Sequence, residues 1–198
     1  MDYEKLKHEY GDSENIIAVG SVRRGMDLVF VKTAIEKAVK NTQTSALIVQ
    51  NTSAKFFEEY SSYLASIGYL VYEYNPYNEK SSLINFDIRF YGQQPVAIFL
   101  TTPPVLSGVP CEASKGFLLN LLLELNRQFK QQSVENKGII NIILSDFDGL
   151  GKTDYLSKLV SPKRNKKIYL KIFTKDIEHF DYLYGERVDT FRVIKLLE

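Results

Sequence analysis

Cysteine and histidine are nearly absent from this chain. Cys111 is the single cysteine, and His8 and His179 are the two histidines. A disulfide framework and a Cys-rich zinc site are excluded, and a His-based metal centre has too few ligands. Cys111 stands between Pro110 and Glu112 with no histidine near it in sequence, which gives a catalytic thiol little support. An excess of either charge is missing as well. The 25 Lys+Arg and 24 Asp+Glu leave a formal net charge of +1. That argues against a globally basic nucleic-acid binder and leaves room only for a local basic face. No stretch reaches the about 18 consecutive apolar residues of a membrane span. The N-terminal MDYEKLKHEYGDSEN is charged and polar, unlike a signal peptide. Internal repeats and low-complexity linkers are also lacking. The expectation is a reduced, cytoplasmic protein without a resident cofactor.

What is present is ordinary globular composition: 198 residues, 44% hydrophobic and 25% charged. A chain of this length buries roughly 70% of its unfolded surface and needs no metal or disulfide to fold. We read it as one domain over 1–198, with a polar segment at 1–14 and an irregular connection at 74–94. Short apolar runs predict strands at 16–19, 46–49, 69–72, 96–100, 139–144, 168–173 and 188–193. Stretches with helical spacing lie between them, at 27–40, 53–66, 112–132, 153–160 and 176–184. In the first of these, Leu28, Val31, Ile35 and Val39 form the apolar stripe. In the second, Phe56, Phe57, Tyr60, Tyr63, Leu64 and Ile67 do so, with Ser53 as N-cap and Gly68 as stop. The leucine-rich helix over 112–132 reads either as an interface or as a core helix covered on two sides. Strands alternating with helices predict an α/β fold, its sheet mainly parallel and covered on both faces.

Ligands of such folds bind beyond the carboxyl ends of the strands. The first of these loops is Gly20-Ser21-Val22-Arg23-Arg24-Gly25-Met26-Asp27. It has the glycine spacing of a phosphate loop, G-x-x-x-x-G-K-S/T, between a strand and a helix. Met26 replaces the phosphate-binding lysine, and Asp27 replaces the hydroxyl that holds magnesium. Arg23 and Arg24 bring charge without that geometry. On these residues alone, the loop is either a degenerate phosphate loop or a turn that binds nothing. The strand over 139–144 runs into Ser145-Asp146-Phe147-Asp148, the setting of a Walker B site. There Asp146 is either a base and metal ligand or a simple loop acid. Gly151-Lys152-Thr153 contains GKT, but Asp146 stands where its first glycine would have to be. Lys163, Arg164, Lys166 and Lys167 form a basic run that suits a nucleic-acid backbone, an acidic partner or solvent.

The order of these segments resembles the TraG-like coupling proteins of conjugative type IV secretion, RecA-like P-loop ATPases that deliver DNA to the transfer channel. NIIAVGSVRRGMDLVFVKTAI is similar to the family's phosphate-loop strand and helix. SALIVQNTSAKFFEEYSSYLASIGYLVYEYNP is similar to the next strand, helix and strand. QQPVAIFLTTPP, IILSDFDGLGK and SPKRNKKIYLKIFTK followed by DYLYGE are similar to later family segments. The resemblance implies a RecA-like domain. The departures fall on its chemistry. Besides Met26 and Asp27, the segment from Gln50 to Ala54 replaces D-P-K-G-E, and Ser145-Asp146 replaces Asp-Glu. Lys166 and Lys175 replace an arginine and a sensor glutamine. Phosphoryl transfer rests on positioning and charge neutralisation, so joint loss of these groups implies an inactive ATPase. The implied role is a protein-interaction or regulatory module in mobile-element transfer, with conjugation or secretion proteins as partners. Two alternatives stay open. One is a divergent ATPase using ATP and magnesium through Arg23, Arg24 or Lys152 and Asp146. The other is a DNA-binding module built on the basic run.

Overall fold

The computed structural model describes residues 6, 8, 11, 14–21, 25–40, 44–51, 54–75, 94–102, 112–131, 138–145, 167–185 and 191–196. The apolar runs form seven strands: β1 (Ile16–Val19), β2 (Ser45–Asn51), β3 (Leu70–Tyr74), β4 (Val96–Thr102), β5 (Ile140–Leu144), β6 (Ile168–Thr174) and β7 (Arg192–Lys195). Four helices are described: α1 (Met26–Lys40), α2 (Phe56–Ser66), α3 (Glu112–Gln131) and α4 (Ile177–Tyr184). The strands join in one sheet of order β3-β4-β2-β5-β6-β1-β7. Every ladder in it is parallel.

Strand residues alternate between two cores, because successive side chains point to opposite faces. Leu47, Val49, Ile98, Leu100, Ile142 and Leu144 pack with Leu118, Leu121, Leu122 and Leu125 of α3 and Phe180 of α4. Ile16, Ala18, Ile48, Phe99 and Ile143 pack on the other face with Phe30, Val31 and Ile35 of α1 and Tyr60 and Leu64 of α2. Burial on both faces explains why β4 and β5 carry almost no polar residue before their ends. The crossovers β1–α1–β2 and β2–α2–β3 run toward the β3 edge over one face. The crossovers β4–α3–β5 and β6–α4–β7 run toward the β7 edge over the other. Opposite directions on opposite faces are what a single crossover hand requires.

Local chemistry sets the helix ends. Gly68 follows α2 with φ 93°, a left-handed conformation that ends a helix cheaply only for glycine. Asp176 caps α4, its carboxylate accepting from Glu178 N at 2.8 Å. Several sequence expectations shift. Lys55, not Ser53, holds the N-cap position of α2 and makes no side-chain cap bond. Tyr63 and Ile67 are exposed rather than part of the α2 core stripe, and Leu28 is exposed on α1, where Phe30 and Ala34 are buried instead. The leucine-rich α3 is covered on one side: Leu119 and Leu123 face outward. β4 continues through Thr101 and Thr102, so those residues belong to the ladder rather than to its end. The last strand begins at Arg192, later than the apolar spacing indicated. The predicted helix over 153–160 and nearly all of the irregular connection lie outside the described residues. Among the described residues no helix is long and apolar enough to cross a membrane.

Candidate functional site

The adjacent strands β1 and β6 send their helices to opposite faces, α1 to one and α4 to the other. Such a reversal opens a crevice beyond the carboxyl ends, where open α/β sheets bind ligands. The Gly20–Asp27 loop starts at this point. Gly20 N donates to Thr174 O of β6 at 3.2 Å, Met26 N donates to Ser21 O at 3.4 Å, and Val29 N donates to Gly25 O at 3.1 Å. Gly25, at φ 67°, supplies the left-handed residue that turns the chain into α1. Gly20 is needed for a different reason. A Cβ there would lie 3.0 Å from Met26 Sδ and 3.1 Å from Leu196 Cβ.

The Met26 side chain folds back into the loop. Its thioether sulfur accepts from Ser21 N at 3.4 Å. Sulfur is a weak acceptor, yet it stands where an anion's oxygen would have to approach that N–H. Asp27 is buried in the first turn of α1. A carboxylate there is favoured by the positive end of the helix dipole, and it occupies the field that would otherwise attract phosphate. The described part of the loop thus places the Ser21 N–H on the Met26 thioether and a buried carboxylate in the first turn of α1. Of the loop residues singled out in the sequence, Gly20, Gly25, Met26 and Asp27 are described, and Met26 packs beside Gly20; Arg23 and Arg24 lie outside the described residues.

Two strands away, Ser145 directly follows β5 and is buried. Its Oγ and its backbone N both donate to Val49 O of β2, at 2.9 and 3.0 Å. The hydroxyl thus ties β5 to β2. Asp146 lies outside the described residues, as do Lys163, Arg164 and Lys166. Lys167 is described, at the amino end of β6, where its carbonyl accepts from Ile140 N at 2.9 Å. The ladders are parallel and β6 spans seven residues. Lys167 is therefore about 20 Å from the carboxyl edge, across the sheet from the loop. The part of the basic run that can be placed is thus remote from the phosphate-loop position.

Sequence reasoning missed a row of buried polar groups at the same edge. Gln50 of β2 faces Thr101 of β4, and its Nε2 donates to Thr101 Oγ1 at 3.2 Å. Thr102 Oγ1 donates to Gln50 O at 3.0 Å. The Gln50 Oε1 atom is buried and makes no hydrogen bond among the described residues. The available signal was a polar residue directly after each apolar run, which reads equally well as the start of a loop. A surface groove on α3, lined by Asn120, Leu123, Glu124, Arg127, Lys130 and Gln131, is separate from these groups. Within it, hydrogen bonds from Arg127 and Gln128 hold the Glu124 carboxyl below its ordinary pKa. Among the described residues no group of three His, Cys, Asp or Glu is placed to hold a metal ion. No family model matches the sequence, and neither a curated protein nor a solved structure matches it.

Proposed function

We propose that this chain is a catalytically inactive P-loop ATPase-like protein, a degenerate relative of conjugative coupling proteins that acts as a protein-interaction or regulatory module in the cytoplasm. The observation that carries the reading is the Met26 thioether accepting the Ser21 N–H inside a loop of phosphate-loop spacing. The buried Asp27 carboxylate beside it adds a charge that repels a triphosphate. The parallel sheet, with β6 lying between the strand of this loop and the strand of Ser145, is consistent with a RecA-like fold. Ser145 supports the reading too, because its hydroxyl is engaged with β2 rather than turned to a metal. On this view the sheet persists as a scaffold for contacts, and no ATP or magnesium is used.

The test is to rebuild the motif. Met26→Lys with Asp27→Thr turns Gly20–Asp27 into a full G-x-x-x-x-G-K-T loop. The double variant is expected to gain magnesium-dependent ATP binding, read by isothermal titration, while the parent chain shows none. ATP turnover by the parent overturns the inactive reading. A folded double variant that still ignores ATP overturns the derivation from a phosphate loop.

A further inference from the structure

The two edges of the sheet are defended differently. β7 borders β1 at one end and carries exposed Arg192 and Lys195. Cations on an edge strand discourage pairing with other chains. At the other end, β3 is Leu70-Val71-Tyr72-Glu73-Tyr74, without cation, proline or glycine. Its one strand neighbour among the described residues is β4. Leu70 N donates to Pro95 O at 2.9 Å. Alternate residues of a parallel strand turn their backbone to the same neighbour. The N–H and C=O groups of Val71 and Glu73 therefore point away from β4.

The side chains along this edge also alternate. Tyr72 and Tyr74 pack with the α3-side core, and Val71 packs with the α2-side core. Leu70, which is 41% exposed, thus lies on the α3 side and Glu73 on the α2 side. Partial burial, with the nearby Glu58 of α2, raises the Glu73 pKa. No cation pairs with Glu58 or Glu73 among the described residues. The neighbouring Glu59, by contrast, is bound by Lys32 at 2.6 Å.

We propose that the β3 edge accepts an extended, basic segment of a partner protein as an additional strand. Main-chain bonds form to Val71 and Glu73, cationic side chains lie beside Glu73 and Glu58, and apolar ones lie along Leu70. Such strand addition takes its affinity from backbone bonds and its specificity from alternate side chains. A second copy fits less well. Two-fold pairing of β3 with itself would gather two Glu73 and two Glu58 carboxylates on one face, and opposed like charges destabilise a sheet. This proposal stands apart from the fate of the phosphate loop.

Fluorescence anisotropy with an end-blocked, labelled peptide alternating lysine and valine tests it, with a glutamate–valine peptide as comparison. The lysine peptide is expected to bind in a salt-sensitive way and the glutamate peptide not to bind. Affinity should fall at least about tenfold in a Glu58→Lys/Glu73→Lys variant whose melting curve matches the parent. It should fall likewise when the peptide's alternate amides are N-methylated. Hydrogen exchange at Val71 and Glu73 should slow on binding. Absent binding, equal binding by the charge-reversed variant, or tolerance of N-methylation overturns the proposal. So does concentration-dependent protection of the same amides without peptide, which assigns the edge to a second copy.

Discussion

The interior of the sheet and its carboxyl edge follow different rules. In the interior, residues such as Leu47, Ile98, Phe99 and Ile142 are fully buried between two helix layers. The exceptions there are Asn141 and Lys171. Lys171 is anchored to the carbonyls of Gly11 and Glu14. At the edge, buried groups are polar: Asp27, Gln50, Thr101, Ser145 and Thr174. Most of them are tied down within the protein. Ser145 and Thr102 donate to backbone carbonyls of β2, and the Met26 sulfur takes the Ser21 N–H. The difference teaches that a sheet can close its interior with apolar packing while the polar groups at its carboxyl edge are turned toward one another.

Four substitutions sharpen this contrast. The largest effect should come from the interior. Phe99 is fully buried and meets Phe57 edge-on at 5.7 Å. Phe99→Ala should cost about 3–5 kcal/mol in chemical denaturation; a loss under about 1 kcal/mol would mean that the interior is not closely packed. Next is the interior's own defect. Asn141 is buried, and among the described residues neither end of its amide is hydrogen-bonded. Asn141→Val should therefore raise stability by about 1–2 kcal/mol, and destabilisation would reveal a partner for that amide. At the edge, Ser145→Ala removes one of two donors to Val49 O and should cost about 1 kcal/mol or less. A much larger loss would give Ser145 a further role.

The smallest effect concerns Glu73. Its raised pKa means that burial, then the Glu58 charge, make its ionised form costly in the folded state. The folded protein therefore holds this proton more tightly than the unfolded chain. Stability from this group is complete below the ordinary glutamate value of 4.5 and is lost as pH rises through the higher folded value. Because Glu73 is only partly buried, solvent screening keeps this effect small, and Glu73→Gln should be more stable than the parent at neutral pH by no more than about 0.5 kcal/mol. The advantage should vanish near pH 4, as read from thermal melts across pH. A pH-independent difference would assign the effect to something other than ionisation.

The sequence carried the strands well where burial on both faces leaves a nearly unbroken apolar run, as in β1 and β4, and in β5 apart from Asn141. It carried helix faces less well. Leu28 fits the helical spacing of α1, but the helix turns Phe30 and Ala34 inward, because tertiary packing rather than spacing selects the buried side. Tyr63 and Ile67 fit the spacing of α2 and are exposed for the same reason. The glycine spacing of the β1–α1 loop, followed by Met26 and Asp27, was visible as a motif. The folding of Met26 onto Ser21 was not, because the sequence does not encode the direction of a flexible thioether. The polar row from Thr101 to Ser145 depends on strand order, which brings β4, β2 and β5 side by side from distant parts of the chain. No local pattern states that adjacency.

The proposal that bears most weight is that the β1–α1 loop derives from a phosphate loop and that Met26 and Asp27 keep nucleotide out of it. Isothermal titration of the parent chain with ATP and magnesium tests it most directly. The account predicts no saturable heat. Saturable binding in the micromolar range would contradict it.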